Sequence, residues 1–208
     1  GSEVARETYI ARGGAPERIR GIPYGVDTRQ FVPAERPSSG GETLQALFVG
    51  NVSVRKGCRY LIEAVRSLPN VRLTLVGGIE DRRLLDGAGP NVSWRPPVAH
   101  RDLPRFFREA DVYVFPSLFE GSSLSIYEAL ASGLPIVTTR ESGSVVRDGV
   151  EGFVVPAHDT TAVAERLDCL SRDAALRMRL GLQARERAER HTWNTYYGHI
   201  TDLILSLQ

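Results

Sequence analysis

The chain has 208 residues, a formal net charge of +1 and a hydrophobic fraction of 42%. It has no run of eighteen apolar residues and no block of like charges, which excludes a membrane-spanning helix and disfavours disordered and nucleic-acid-binding classes. A chain of this length buries roughly 70% of its unfolded surface, so we expect one compact domain without nucleic-acid partners or direct membrane insertion.

Short apolar runs alternate with helical periodicity along the chain. The runs that predict strands are 46–49, 72–76, 92–94, 112–115, 136–138 and 153–155. Helices are predicted through 60–65, over 100–110 with Asp102 as a cap, over 123–132, and over most of the tail from 159. Strands that are apolar throughout and alternate with helices are typical of a parallel sheet with both faces covered. The predicted fold is therefore α/β, a doubly wound domain of about six strands with a helical C-terminal tail.

The chain start and the two cysteines bear on processing and compartment. Gly1-Ser2 is interpreted as a cloning remnant, and no apolar signal segment follows it. Cys58 and Cys169 lie far apart and neither has metal-ligand spacing around it. We therefore expect a reduced, cytoplasmic protein. Residues 33–41, rich in Pro, Ser and Gly, form the one linker-like stretch.

A glycine-bounded loop follows the first predicted strand and carries two adjacent cations. It runs from Gly50 to Gly57 and includes Asn51, Arg55 and Lys56, the one lysine among 26 basic residues. Ligands of parallel sheets bind at the carboxyl ends of strands, so a phosphate here would meet helix amides and the Lys56 ammonium. The alternative is a solvated basic turn.

The same loop disfavours two phosphate-binding families. It lacks the G-x-G-x-x-G spacing of dinucleotide sites, which argues against a nicotinamide-dependent oxidoreductase. It also lacks the Ser or Thr that follows Gly-Lys in a Walker A loop.

The stretch 114–139 contains the largest group of candidate ligand-binding residues. Glu120 lies in a strand-to-helix loop beside Gly121, where the backbone can approach a ligand closely. Ser122 and Ser123 are N-cap types, and amides around them predict an anion site. Glu128 lies in a helix that is apolar nearly all round, so its carboxylate needs a partner. Sugar or ribose hydroxyls would supply one; the alternative is a salt bridge to a structural arginine.

The four histidines are scattered without metal-ligand spacing, and we interpret them as surface or packing residues. They are His100, His158, His191 and His199. No metal site is predicted.

Several motifs together resemble those of a known family. They are P-Y-G-V-D-x3-F at 23–31, V-G-x5-K-G at 49–57, L-x-L-V-G-G at 73–78, A-D-V-Y-V-F-P-S-x2-E-G at 110–121, and D-G-x2-G-F-x-V-P at 148–156. Glu120 and Glu128 add an E-x7-E pair. The chain resembles the C-terminal, donor-binding domain of a family 4 (glycosyltransferase group 1) retaining glycosyltransferase of the GT-B fold.

The resemblance implies a Rossmann-like nucleotide-sugar-binding domain over residues 23–208, preceded by an interdomain lead-in over 1–22. It implies that Lys56 binds the diphosphate, that Glu120 contacts the donor sugar, and that Glu128 binds the ribose. Lys56 and Glu120 would be the catalytic residues. The implied donor contacts are Gly50, Asn51, Arg55, Lys56, Glu120, Gly121, Ser122, Ser123, Leu124 and Glu128, with a base loop from Arg95 to Val98.

Two residues and the chain length depart from the family pattern. Asn51 stands where the family usually has arginine, so Arg55 would deliver that charge. Ser123 stands where a glycine is common. The family binds its acceptor on an N-terminal domain, so we expect this chain to bind donor and to be inactive by itself.

The predicted reaction is transfer of a sugar, with retention, from a uridine or guanosine diphosphate sugar to an acceptor hydroxyl, with no cofactor. The alternatives are a nucleotide-sugar epimerase of the same fold and a non-catalytic nucleotide-sugar-binding module. A full-length protein would be cytoplasmic or peripheral at the inner membrane.

Overall fold

Six parallel strands form the sheet of the computed structural model, which describes residues 1–35 and 43–206. They are β1 (Leu44–Val49), β2 (Val71–Val76), β3 (Val92–Arg95), β4 (Val112–Phe115), β5 (Ile136–Thr139) and β6 (Gly152–Val155). Their spatial order is β3-β2-β1-β4-β5-β6. This order confirms the predicted doubly wound α/β fold.

The sheet changes direction of winding between β1 and β4. Leu44 pairs with Val71 and Val49 with Val76, so β1 and β2 run in register to a common carboxyl end. On its other side β1 pairs with β4, with Ala46 opposite Val112. Crossovers from these two central strands leave in opposite directions and open a crevice between the loops that follow them.

Seven α-helices accompany the sheet within the described residues. They are α1 (Glu3–Ala11), α2 (Cys58–Arg66), α3 (Leu103–Glu109), α4 (Leu124–Ala131), α5 (Thr160–Arg172), α6 (Ala174–Glu189) and α7 (Trp193–Leu205). Helix α2 packs beside α5, and α4 packs beside α6. None of the described helices is both long and apolar enough to cross a membrane.

The core lies around the central strands. All four residues of β4 are fully buried, and β1 is buried at all but one position. Burial of each large apolar side chain contributes roughly 1.5–3 kcal/mol. The edge strand β3 instead alternates between half-buried and exposed residues, because successive side chains point to opposite faces of the sheet and one of these faces is exposed at β3.

Some local predictions differ from the structure. The helix predicted over 100–110 is a 3-10 helix (His100–Asp102) followed by α3, and Asp102 makes no side-chain capping bond. The helical tail is interrupted at Asp173, whose side chain accepts from the Leu176 amide and starts α6. Residues 36–41 of the linker-like stretch lie outside the described residues.

Candidate functional site

Two loops meet at the crevice between β1 and β4. We name residues 50–57 the β1 loop and residues 116–123 the β4 loop. The carbonyl of Arg55 accepts hydrogen bonds from the Leu118 amide at 2.8 Å and from the Ser117 hydroxyl at 3.2 Å. Side chains from both loops are therefore brought to one place, although they are far apart in sequence.

Gly57 makes this close approach possible. Its φ is +73°, and a Cβ at this position would lie 1.9 Å from the carbonyl oxygen of Pro116. Both the left-handed backbone and the contact exclude any side chain. The glycine after the lysine is thus required by the packing of the β1 loop against the β4 loop.

Lys56 points across the crevice. Its Nζ lies 3.3 Å from Oε2 of Glu120 and 5.1 Å from the centroid of the Phe115 ring. The Lys56 side chain is only 17% exposed, so its ammonium is partly withdrawn from water. A partly desolvated cation interacts more strongly with an anion than one in bulk solvent.

Arg55 reaches the same carboxylate. Its Nη1 lies 3.1 Å from Oε2 of Glu120 and donates at the same distance to the carbonyl of Phe119. One oxygen of Glu120 is therefore held by two cations. The other oxygen has no partner in the described part of the chain.

The backbone amides that lead into α2 are already used. The Lys56 amide donates to the Ser53 hydroxyl at 3.3 Å, the Gly57 amide to the Val54 carbonyl at 2.9 Å, and the Cys58 amide to the Ser53 carbonyl at 3.2 Å. The prediction that helix amides here would meet a phosphate is wrong for these three groups. The β1 loop offers an anion its side chains instead.

The amides that lead into α4 are not used. The amides of Gly121, Ser122, Ser123 and Leu124 donate no hydrogen bond to any residue that the structure describes. Four successive unpaired amides at a helix N-terminus create a positive potential suited to an anion.

The serines of the β4 loop do not cap α4, contrary to the prediction. Ser123 occupies the N-cap position, but its hydroxyl pairs with that of Ser125 at 2.9 Å, and Ser125 is also bonded to the Tyr113 hydroxyl at 2.6 Å. The Ser122 hydroxyl is buried without a partner among the described residues. Neither serine hydroxyl accepts from the amides of residues 121–124.

Glu128 is buried, as the apolar surroundings in the sequence predict. Its residue is 8% exposed, and burial raises the pKa of its carboxyl above the ordinary value, with hydrogen bonding to His100 opposing this. Its Oε1 lies 2.7 Å from Nε2 of His100. The alternative of a structural arginine as partner is therefore wrong.

His100 is exposed and packs against Phe31, as that interpretation holds, but its imidazole also pairs with Glu128, which the interpretation did not include. His100 and Glu128 lie on different elements, and nothing in the spacing of the histidines indicated that one of them would reach the E-x7-E pair. An unpaired carboxylate in an apolar helix was the one signal that some polar partner had to exist.

The remaining predicted residues lie at neighbouring strand ends. Gly50 lies under the Lys56 side chain, since a Cβ there would be 3.5 Å from Nζ. Asn51 is exposed beside Gly78. Arg95 ends β3 and is exposed, and Val98 is partly buried against the core. Within the described residues, Arg95 forms no ion pair with Glu120, and Asn51 is uncharged and cannot form one.

The other polar groups do not form a competing site. The Tyr60 hydroxyl is bonded to His158, and His191 is bonded to the Arg187 carbonyl, with its pKa lowered by burial. Burial raises the pKa of Cys58 to about 12, so this thiol is not poised to react. No group of three metal-ligating side chains occurs within residues 1–35 and 43–206.

The first residues of the chain contact the β4 loop. Ser2 is buried, accepts from the Ala5 amide to cap α1, and donates its hydroxyl to the Gly121 carbonyl. Glu7 pairs with Arg140. The lead-in is thus attached to the loop that carries the unpaired amides.

A family model and several curated proteins match this chain. Residues 43–173 match the model described as "Glycosyl transferases group 1". A D-inositol 3-phosphate glycosyltransferase of Xylanimonas cellulosilytica is 34% identical, over 92% of this chain and 52% of its own length. A D-inositol 3-phosphate glycosyltransferase of Mycobacterium tuberculosis is 30% identical, over 98% of this chain and 46% of its own length. The chain therefore spans about half the length of these curated relatives.

Solved structures also resemble it. A sucrose-phosphate synthase from Thermosynechococcus elongatus is 26% identical with a TM-score of 0.83, covering 99% of this chain and 57% of its own. The Anabaena protein HepE, solved with UDP and glucose, has a TM-score of 0.86 at 21% identity, covering 99% and 62%. At 21% identity, the similarity to HepE shows a shared fold only.

Proposed function

The chain belongs to the group 1 glycosyl transferases, and from this membership we propose that it binds the nucleotide-sugar donor for retaining transfer of a sugar to an acceptor hydroxyl. Its fold is one Rossmann-like half of a GT-B enzyme, as predicted from the sequence. The observation that carries the proposal is the convergence of Lys56, Arg55 and Glu120 beside four unpaired amides at the crevice between β1 and β4.

The leaving nucleoside diphosphate gains negative charge as the bond to the sugar breaks. Preorganised cations and amides that face this charge lower the barrier, because they need not reorient as it develops. We assign this role to Lys56, Arg55 and the amides of residues 121–124. These groups would supply the positive potential without a divalent metal.

Glu120 has a second role in this proposal. Its Oε2 holds both cations, and a diphosphate would compete for the same two groups. Once the phosphates engage Lys56 and Arg55, the carboxylate is released toward the hydroxyls of the donor sugar. Glu120 would then accept hydrogen bonds that orient the sugar for attack by the acceptor.

Glu128 and the loop after β3 complete the donor site. Glu128 is proposed to accept from the ribose hydroxyls, which would supply donors to a buried carboxylate. Residues 95–98 are proposed to border the base. Arg55 is proposed to replace the charge that the family usually carries at position 51, where this chain has Asn51.

The acceptor is proposed to bind outside these 208 residues. The chain aligns with only about half the length of its curated relatives, which are named for D-inositol 3-phosphate. A phosphorylated polyol is therefore the acceptor class to test first with a whole protein. The isolated chain is expected to bind donor without transferring the sugar.

Isothermal titration of the chain with UDP, GDP, ADP and NAD, without added metal, tests the proposal. We expect one nucleoside diphosphate to bind, and Lys56→Ala to weaken it by about 10–100-fold, the effect of losing a hydrogen-bonded charge. The matched control is Arg59→Ala, which removes an exposed cation from α2, the helix that follows the β1 loop. UDP is the first probe, because it is the nucleotide bound by the Anabaena neighbour.

Two results would overturn this function. One is binding of NAD in preference to every nucleoside diphosphate. The other is equal weakening by Lys56→Ala and Arg59→Ala, which would show that the cations act only through overall charge.

A further inference from the structure

His100 lies where the loop after β3 meets α4. It opens the 3-10 helix that precedes α3, and its Nε2 lies 2.7 Å from Oε1 of Glu128. Its side chain is 61% exposed, whereas that of Glu128 is 10% exposed. The imidazole therefore bridges from the edge of the crevice to a carboxylate that is otherwise enclosed.

The Glu128 carboxylate is only half paired. Within the described residues His100 is its one hydrogen-bonding partner, and that bond occupies a single oxygen, Oε1. The second oxygen is left with accepting capacity. That oxygen is not among the buried polar atoms without a partner in the described residues, so it is accessible and a ligand hydroxyl can donate to it.

The His100 ring is held from a second direction. Its edge contacts the Phe31 ring at a centroid distance of 5.5 Å, and Phe31 in turn contacts Phe107 at 5.5 Å. Phe31 is 1% exposed and belongs to the core. Because this contact fixes the imidazole, the hydrogen bond to Glu128 has a defined direction.

We propose that His100 is a positioning residue, which donates from Nε2 to Glu128 and so holds the second carboxylate oxygen toward the 2′- and 3′-hydroxyls of the donor ribose. This inference rests on the proposed function, in which Glu128 binds the ribose. A fixed acceptor discriminates between a hydroxyl and a hydrogen, because the analogue without the hydroxyl leaves the acceptor unpaired. The chain should therefore prefer ribonucleotides to 2′-deoxyribonucleotides, and His100 should be responsible for much of that preference.

Titration with matched ribo- and deoxyribonucleotides tests the inference. The probes are UDP with 2′-deoxy-UDP, and GDP with 2′-deoxy-GDP. We expect the unmodified chain to bind the ribonucleotide at least about tenfold more tightly, the typical effect of one hydrogen bond to a charged group. His100→Ala should weaken binding of the ribonucleotide more than binding of the 2′-deoxyribonucleotide, which keeps only the 3′-hydroxyl, so the preference should shrink.

Two further variants separate the hydrogen bond from packing. His100→Phe keeps an aromatic ring against Phe31 and removes the donor, so it should lose the ribose preference as His100→Ala does. His100→Gln has an amide that can donate to Glu128, so it should retain most of the preference. If His100→Ala fails to fold, His100→Phe still tests whether losing the hydrogen-bond donor removes the ribose preference.

Each outcome decides between the two proposals. If Glu128→Gln abolishes the ribose preference and His100→Phe keeps it, the positioning role is wrong and the donor site stands. If His100→Phe weakens both nucleotides equally, His100 is structural and the inference fails. If no nucleoside diphosphate binds the unmodified chain, the proposed function fails and this inference fails with it.

Discussion

The β1 loop and the β4 loop present positive potential by different means. The β1 loop has its three helix-leading amides bonded internally and presents two cationic side chains, those of Arg55 and Lys56. The β4 loop presents no cation, and its amides of residues 121–123, together with that of Leu124 at the start of α4, are unpaired within the described residues. The positive potential of the β1 loop comes from side chains, whereas that of the β4 loop comes from backbone amides.

This difference determines how each loop responds to change. Side-chain cations are removed by ordinary substitution and are screened by salt where they are exposed. Backbone amides persist through almost any substitution, and only proline deletes one. Mutational scanning would therefore readily detect the contribution of the β1 loop to ligand binding and would underestimate the contribution of the β4 loop.

Among the unpaired amides of residues 121–124, the largest effect on nucleotide binding is expected from Leu124→Pro. Residue 124 is the first residue of α4 and Ser123 before it is extended, so proline fits the backbone and removes one unpaired amide. We expect binding of the nucleoside diphosphate to weaken by about tenfold, the typical effect of one hydrogen bond to a charged group. Titration calorimetry measures this effect.

Leu124→Ala is the matched control, because it shortens the same side chain and keeps the amide. Thermal unfolding of both variants should give midpoints close to that of the unmodified chain. Equal affinities of the alanine and proline variants would show that the amide of residue 124 does not face the ligand.

A smaller effect of opposite sign is expected from Glu120→Gln. This change removes the anion that holds Lys56 and Arg55, so both cations become available to a diphosphate. We expect UDP to bind about two- to fivefold more tightly, in line with the strength of a partly exposed ion pair. A UDP-sugar should gain less than UDP, since the carboxylate that would contact its sugar is lost.

Comparing Kd for UDP and for UDP-glucose in the same variant gives the measurement. Glu63→Gln, an exposed carboxylate on α2, controls for the change in net charge. Weaker binding of UDP to Glu120→Gln would mean that the carboxylate orients the cations usefully instead of competing for them.

The smallest effect concerns stability and its dependence on pH. Burial raises the pKa of Glu128 above its ordinary 4.5, so folding favours the protonated carboxyl. That contribution is fully present below the unfolded pKa and is lost as pH rises through the folded pKa. Glu128→Gln mimics the protonated form, so it should be more stable than the unmodified chain at pH 7.5 and nearly equal to it at pH 4.

Urea unfolding at the two pH values measures this difference, with Glu63→Gln as the exposed control. A Glu128→Gln variant less stable at pH 7.5 would mean that the hydrogen bond between His100 and the Glu128 carboxylate outweighs the cost of burying that carboxylate.

The strand positions could be predicted from the sequence because the central strands are apolar on both faces. The run 112–115 is fully buried in β4, and α4 (Leu124–Ala131) lies within one residue of the predicted helix over 123–132 at each end. Boundaries were less accurate at the edge. Helix prediction over 100–110 missed the 3-10 turn, because hydrophobic periodicity does not distinguish the two helix types over three residues.

Candidate site residues could be named from the sequence, but the bonds between them could not. The glycine-bounded loop and the E-x7-E pair identified Lys56, Glu120 and Glu128 as candidates. The pairing of His100 with Glu128 and the unpaired amides of residues 121–124 depend on how loops approach one another. Such contacts join residues distant in sequence and leave no periodic pattern behind.

The strand order has a consequence for folding. The two loops belong to opposite halves of the sheet, since β1 and β4 are the innermost strands of the two halves, and the Lys56–Glu120 ion pair spans 64 residues. Such a contact forms only after the two halves have docked, since loop closure must precede it. A nucleotide that bridges the loops would therefore bind only the fully assembled sheet, and by mass action it would protect both halves from unfolding together.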